Sequence, residues 1–337
     1  MPRPPLRSLV ALAAAALLAA GLAGCGPMSP LDPASDAART ISALWWVMLV
    51  VAVIVFGGAI AMLVAAWVRR GEWGLPRLGE RPRVFDASVV VFGIAIPVVV
   101  LVGLFVWANV GLVEETDSPP ANSPAMKIEV TGNQWWWEAR YPGTPAVTAN
   151  EIHIPARTPV TIETSSRDVI HSFWIPRLNR KADSIPGHLN RVELFADEPG
   201  VYRGSCAEFC GQQHARMGVA VHAEPPGAFR AWLAAQGRPR TAPVTPLARR
   251  GEQVFTAKGC ASCHSIRGTS ARGEVGPDLT HLKSRATLAA LTIPNHRPHL
   301  TEWIANPQRV KEGAKMPALD LTPPELEALT EYLENLR

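Results

Sequence analysis

Two stretches of the chain carry no charge at all: residues 41–68 and residues 87–113. About 20 apolar residues are enough for an α-helix to cross the hydrocarbon of a bilayer. A buried helix of a soluble domain is neither this long nor this uniformly apolar. Both stretches therefore predict transmembrane helices, arranged as a hairpin. Pro97 falls inside the second, where a kink is tolerated if neighbouring groups satisfy the freed carbonyl. Trp45, Trp46, Trp67 and Trp107 lie near the ends of the two runs, where interfacial aromatics collect. The connection holds Arg69, Arg70, Arg77, Arg81 and Arg83, whereas Glu114, Glu115 and Asp117 follow the second run. The excess of arginine puts that connection in the cytoplasm and everything from about residue 114 outside.

The N-terminus agrees. Residues 1–24 carry Arg3 and Arg7 ahead of an uncharged, Ala- and Leu-rich run too short to span a bilayer, the layout of an export signal. The run ends Leu22-Ala23-Gly24-Cys25, which resembles the lipobox of bacterial lipoproteins, with Cys25 as the acylated residue; an ordinary signal with an incidental cysteine is the plainer alternative. The chain is thus expected to be a multi-domain protein of the bacterial inner membrane, held by lipid contacts, with both termini on the periplasmic or extracellular side.

The exterior portion divides again. After a short linker, residues 125–224 alternate apolar and polar positions in short pieces (KIEV, QWWWEAR, EIHIP, PVTIET, RVELFA, VYRGS, MGVAVHA) separated by turn residues. That spacing predicts an all-β sandwich or barrel. A short helix is expected at Pro226–Gln236, and residues 238–246 (RPRTAPVTP) form a proline-rich spacer. Residues 247–337 read as helical. Thr322-Pro323-Pro324-Glu325 combines a capping box with proline at the first helical position, and Leu326, Leu329, Leu333 and Leu336 follow on one face, as core packing. Arginine-rich clusters interleaved with aromatics are not evident, so nucleic acid is not an expected partner.

The five cysteines fall as one alone, a pair four apart and a pair three apart. Cys206-Ala207-Glu208-Phe209-Cys210-Gly211-Gln212-Gln213-His214-Ala215-Arg216-Met217 packs four soft or borderline donors into a short loop, and His171 lies upstream at the start of a candidate strand, HSFWIP. A remote His with a Cys–His–Met loop between strands is the donor logic of a blue-copper centre. With a second thiolate, two sulfurs can bridge two copper ions, each completed by one imidazole. Two competing readings stand beside it. Tetrahedral zinc suits Cys2His2 but makes no use of the methionine, and an exported location favours a Cys206–Cys210 disulfide.

Cys260-Ala261-Ser262-Cys263-His264 is C-x-x-C-H, the attachment pattern of a c-type haem. The two thiols add across the haem vinyl groups and His264 ligates the iron. A bare C-x-x-C is also met in redox and metal-binding loops; the following His and the exported context favour haem. Met316 is the only methionine after this motif and is the candidate distal ligand, with His281, His296 and His299 as rivals. A thioether on iron raises the potential, as electron carriers need.

From the two apolar runs through residue 223 the sequence resembles subunit II of cytochrome c oxidase. The likeness is carried by CAEFCGQQHARM, by Gln134-Trp135-Trp136-Trp137, by Asp168-Val169-Ile170-His171-Ser172-Phe173 and by Ile185-Pro186-Gly187. The resemblance implies a cupredoxin-like barrel holding a dinuclear copper-A centre. Cys206 and Cys210 would be bridging thiolates, His171 and His214 terminal imidazoles, and Met217 and the Glu208 carbonyl weak axial ligands. The Glu208 carboxylate would reach a magnesium ion at the boundary with subunit I, and Trp135 would be the point of electron entry. Trp136 and Trp137 are left to packing, and His153, His188 and His222 to structural or surface roles.

The C-terminal part is similar to small, all-α cytochrome c domains. Gly276-Pro277-Asp278-Leu279 matches the loop whose proline carbonyl accepts a hydrogen bond from the proximal histidine. The implied function is a subunit of a proton-translocating cytochrome c oxidase. Electrons would run from an external donor (a cytochrome c or a cytochrome bc complex) through haem c, Trp135 and copper-A to the haem-copper subunit I, where dioxygen is reduced to water. Subunit III is a further implied partner. If flexible, the spacer would hold the haem domain at an effective concentration of about a millimolar. A copper-A subunit of a quinol-oxidising nitric oxide reductase and a stand-alone membrane-anchored electron carrier are the alternatives.

Overall fold

The protein was analysed as a computed structural model, which describes residues 26–69, 82–123 and 125–337. The export signal (1–24), Cys25 and the loop arginines Arg70, Arg77 and Arg81 lie outside the described residues. Residues 36–117 form one compact unit and the remaining described residues another.

The first unit is a pair of helices. Helix α1 spans Asp36–Arg69. Helix α2 runs from Pro82–Val90 through Ile96–Trp107 to Val113–Thr116, interrupted by π-helical stretches at Val91–Ala95 and Ala108–Leu112. Asp36–Trp67 and Asp86–Leu112 are long and apolar enough to cross a membrane, and the most apolar stretch of each has no side chain buried within the protein. Each helix extends beyond the uncharged run that predicts it, because helix geometry continues into polar flanks that hydropathy excludes. The first π stretch ends just before Pro97, the second residue of Ile96–Trp107. A widened turn there accommodates a ring that can neither donate a hydrogen bond nor fit against the preceding turn.

In the second unit, residues 126–224 form two five-stranded sheets. One has the order β3-β2-β1-β5-β8: β1 Met126–Asn133, β2 Trp136–Arg140, β3 Val147–Ala149, β5 Val160–Ser166 and β8 Asn190–Leu194. The other has the order β4-β10-β9-β6-β7: β4 Glu151–Pro155, β6 His171–Trp174, β7 Ala182–Ser184, β9 Gly200–Cys206 and β10 Gly218–Glu224. Most neighbours are antiparallel, but β1 with β5 and β10 with β4 are parallel. Alternate residues such as Ile128, Val130, Ile152, Ile154, Ile162, Val192, Val219 and Val221 fill one shared core. Trp137 is fully buried there, edge-on to Phe173 and His171, which makes it the packing residue expected. The segment before α1 is pinned to this domain, with Ala34 N–H donating to Arg177 O and Asp197 N–H to Ala34 O.

Helix α3, Pro226–Gln236, lies where the sequence places it. Residues 246–337 carry a second core of Val254, Phe255, Leu300, Ile304, Leu329, Tyr332, Leu333 and Leu336. Its main helices are α4 Pro246–Ala257, α5 Arg297–Ala305, α6 Pro307–Val310 and α7 Pro323–Glu334. The capping box forms, with Thr322 N–H donating to Glu325 Oε2 at 2.8 Å. A Cβ on Gly251 would lie 2.0 Å from Ala328 O, so only glycine lets α4 and α7 approach this closely. A purely helical domain is not what is seen: β11 Thr287–Leu288 pairs with β12 Ile293–Pro294. This ribbon is two residues deep, too short for any periodicity to announce it.

The spacer is bonded along its length. Arg238 O accepts from His281 Nε2, Arg240 N–H donates to Arg267 O, and the Arg240 guanidinium pairs with Glu252. Two of these bonds use the spacer's backbone and the third the Arg240 side chain, so the spacer lies along the haem-type domain instead of hanging free.

Candidate metal centres

Strand β9 ends at Cys206, the loop 207–217 follows, and β10 returns; His171 opens β6, the strand paired with β9. Adjacent strands thus bring together residues far apart in sequence. Cys206 Sγ and Cys210 Sγ lie 3.8 Å apart, far beyond the ~2.05 Å of a disulfide, and both thiols are free. Cys206 Sγ is 3.9 Å from His171 Nδ1, and Cys210 Sγ is 3.7 Å from His214 Nδ1. Glu208 O lies 3.2 Å from the first sulfur and Met217 Sδ 3.8 Å from the second. The donors therefore sort into two matched sets, each with a sulfur, an imidazole nitrogen and a weak oxygen or thioether. That composition fits copper, and the thioether has no place in tetrahedral zinc.

The surroundings tune these groups. His171 Nε2 bonds Asp168 Oδ1 at 2.8 Å, fixing the ring so that Nδ1 faces the sulfurs. Burial pulls the His171 pKa down, but hydrogen bonds to Cys206 and Asp168 outweigh it and the value is raised. The Cys206 thiol is pushed down to about 3, chiefly by the hydrogen bond from Cys210, whose own pKa that bond pushes up. One thiolate thus forms readily, which is what a metal requires. Cys206, Cys210 and Met217 belong to the β-domain core, whereas Glu208 is exposed and Phe209 is 76% exposed beside them.

Trp135 occupies the turn between β1 and β2, half-buried, with its indole Nε1 donating to Cys210 O at 3.0 Å. Gln134 Nε2 donates to the same carbonyl at 2.8 Å. Trp136 starts β2 in the β1 pairing. His153 stacks between His222 and Trp232, while His188 N–H donates to Ile185 O. None of the three histidines joins the sulfur cluster.

The second constellation follows α4. Cys260 and Cys263 are free thiols on a short turn entered by Gly259 in the left-handed region. His264 Nδ1 bonds Pro277 O at 2.8 Å, which directs Nε2 to the opposite side. A Cβ on Gly276 would lie 2.5 Å from His264 Cε1, so glycine is needed for this loop to close on the ring. Burial holds the His264 pKa low, keeping the imidazole neutral for a metal. Arg285 is buried, donates to Asp278 O and leaves its Nε without a partner. Two thiols, a neutral imidazole and a buried cation together fit a covalently attached haem. Met316 is half-buried in the loop after α6. The rival histidines are engaged: His281 bonds Arg238 O, and His296 and His299 stack on each other at 4.0 Å.

Residues without a sequence signal join the two domains. Lys311, buried, donates to Trp135 O, Arg216 O and Ala289 O. Burial, then Arg216, depresses its pKa to about 7. Glu151 of β4 accepts from Ala286 N–H, Thr287 N–H and Thr287 Oγ1. Arg167 donates to Glu274 O, and Gln213 Nε2 to Glu312 O. Glu274 and the loop 310–315 of the C-x-x-C-H domain thus bear on the β-domain, where Lys315 Nζ also lies 3.6 Å from Asp168 Oδ2.

Residues 146–224 match the family described as cytochrome c oxidase subunit II, periplasmic domain, and residues 248–337 match cytochrome c. The chain is 34% identical to cytochrome c oxidase subunit 2 of Alkalihalophilus pseudofirmus over 86% of this chain and 84% of that one. It is 29% identical to the Bacillus subtilis subunit 2, covering 94% of each. Among solved structures, the periplasmic domain of subunit II of cytochrome oxidase from Bradyrhizobium japonicum is 29% identical, covering 35% of this chain and 96% of that one with a TM-score of 0.33.

Proposed function

The chain belongs to the cytochrome c oxidase subunit 2 family, and on that premise we propose that it relays electrons from an external donor to subunit I through one covalent haem c and a dinuclear copper-A centre. An oxidase of this family is an oxidoreductase complex, and a subunit II implies subunit I as its partner. The observation that carries the reading is the pair of sulfurs 3.8 Å apart, each with its own imidazole nitrogen and its own weak donor. Cys206 and Cys210 would be the bridging thiolates, His171 and His214 the terminal imidazoles, and Met217 and Glu208 O the axial donors. Cys260 and Cys263 would hold the haem, with His264 and Met316 on its iron. Thiolate-bridged copper and haem iron supply one-electron redox chemistry with little rearrangement.

The chain's own residues do the positioning. Asp168 fixes the His171 ring, and the β-domain core keeps water from the sulfurs. Trp135 touches the copper loop through its indole N–H, the contact expected of an entry residue. Pro277 O orients His264. The exposed Glu208 carboxylate, one oxygen of which accepts from Phe209 N–H, would meet a magnesium ion at the boundary with subunit I. We read 125–224 as a closed cupredoxin barrel, 238–246 as the spacer and 247–337 as a cytochrome c domain whose core is helical. Both redox domains lie outside the membrane, after a cleaved export signal with lipid on Cys25. Subunit III and a cytochrome c or bc donor complete the assembly, which reduces dioxygen to water and moves protons.

Purifying the complex from membranes and analysing its metals and subunits tests this. Two coppers and one covalent haem are expected for each copy of the chain, with a copurifying large polytopic subunit. Zinc in place of copper would end the central assignment.

A further inference from the structure

Lysine is seldom buried without a carboxylate partner, yet Lys311 is 3% exposed and its ammonium donates to backbone carbonyls. They lie 2.8 Å (Trp135 O), 2.8 Å (Arg216 O) and 3.2 Å (Ala289 O) from Nζ. When protonated, the amine has three donors, and each finds one of these carbonyls. Two of the acceptors belong to the β-domain, 176 and 95 positions away in sequence. They bracket the copper loop: Trp135 donates to Cys210 O, and Arg216 directly precedes Met217. A docking that failed to present both carbonyls would bury this amine without acceptors, which is costly in either protonation state. Lys311 therefore penalises wrong seatings of the haem domain and favours one.

A second observation lies in the backbone. Ala289, Ala290 and Leu291 all have positive φ, at 52°, 58° and 63°. Three successive non-glycine residues in the left-handed region cost about 1–2 kcal/mol each, and such strain persists only where the surroundings impose it. The turn aims its carbonyls at the interface. Ala289 O accepts from Lys311, and Ala290 O accepts from Gly218 N–H of β10. Beside it, Gly313 lies so close that a Cβ would be 2.3 Å from Gln212 Oε1.

We propose that Lys311, with the left-handed turn 289–291, is a docking key that seats the haem domain in one register on Trp135 and the copper loop. It is a positioning residue, and the proposal rests on the functional reading of Trp135 and the two redox sites. The register of this contact, rather than the reach of the spacer, sets how the two sites face each other.

The test uses the full chain in its complex, comparing wild type, Lys311→Met and a control, Lys283→Met, whose lysine pairs with Glu334 inside the haem domain. Three amides donate across the interface and report docking directly: Gly218, Ala286 and Thr287. In Lys311→Met their hydrogen exchange should quicken about tenfold or more, as expected when buried acceptors lose their donor. Amides of α7 should keep wild-type protection. The rate of haem c to copper electron transfer should fall by about the same factor, with the haem c potential and copper content unmoved. The control should match wild type in every readout. Unchanged exchange at the three reporters would overturn the key. Exchange rising equally throughout α7 would overturn it too, by assigning Lys311 to the haem domain's own fold. A wild-type chain lacking copper or haem would instead sink the functional reading, and exchange would still decide the key.

Discussion

At the scale of single residues, most of the donors proposed for the two centres stand out in the sequence because their chemistry resides in side-chain identity at short spacing. Cys206, Cys210, His214 and Met217 fall within one loop, and Cys260, Cys263 and His264 within five positions. Cys206→Ser should remove one of the two sulfurs proposed to bridge copper, so the copper site is lost while haem c stays reducible by its donor. Stopped-flow spectra should then show reduced haem c with an oxidised partner, and sustained turnover would break the proposed order of carriers. Asp168→Ala leaves every donor in place but frees the His171 ring, now held at 2.8 Å. Copper affinity should fall by about 10–100-fold, the usual effect of removing such a support, as read by competition with a chelator. Lys311 and Glu151 carried no such sequence signal. Their meaning comes from carbonyls and amides more than 90 positions away, which no local pattern encodes.

Elements were legible wherever a period or a cap marks them. The alternating strands, α3, the capping box of α7 and both apolar helices all follow from local rules. The turn 289–291 does not, because Ala-Ala-Leu contains none of the glycine or asparagine that normally signals a positive φ. Between β4, β10 and α3, His153 stacks on His222 at 4.6 Å and on Trp232 at 3.9 Å. The carboxylates of Glu224, 3.0 Å from His153, and Glu151, 3.8 Å from His222, complete this cluster. Burial, then His222, lowers the His153 pKa to about 3. In the unfolded chain the ring takes up a proton near pH 6.5; in the folded domain it does so only near 3. Acidification across that window therefore favours unfolding. The melting temperature of the chain should decline from about pH 6.5 downward, and His153→Gln should flatten the decline; a slope that the substitution leaves intact would assign it elsewhere. Where α4 crosses α7, Gly251→Val should push Ala328 away and cost about 1–3 kcal/mol, measurable as a lower midpoint for the haem domain alone.

For the whole molecule, sequence could supply the parts but not their seating. The order of two apolar helices, a β-domain and a cytochrome c domain is local information, whereas docking depends on long-range contacts. A proline-rich spacer of about ten residues suggests a tether, and only its bonds to Arg267, His281 and Glu252 show that it lies along one domain. Tether and docked surface make opposite predictions for a longer spacer. Inserting ten Gly/Ser residues between Ala242 and Pro243 roughly doubles its length. If the interface of Lys311, Glu151 and the turn 289–291 holds the domain, this costs only loop-closure entropy, about 0.6 kcal/mol per doubling. Protection of the Gly218 and Thr287 amides should then stay within about threefold of wild type, and electron transfer with it. If the spacer alone confined the haem domain, its docked fraction would track effective concentration, and a longer, pliant linker would expose both amides. Protection reduced to that of free loops would show that the contact is too weak to seat the domain, leaving the tether to govern how often haem and copper meet.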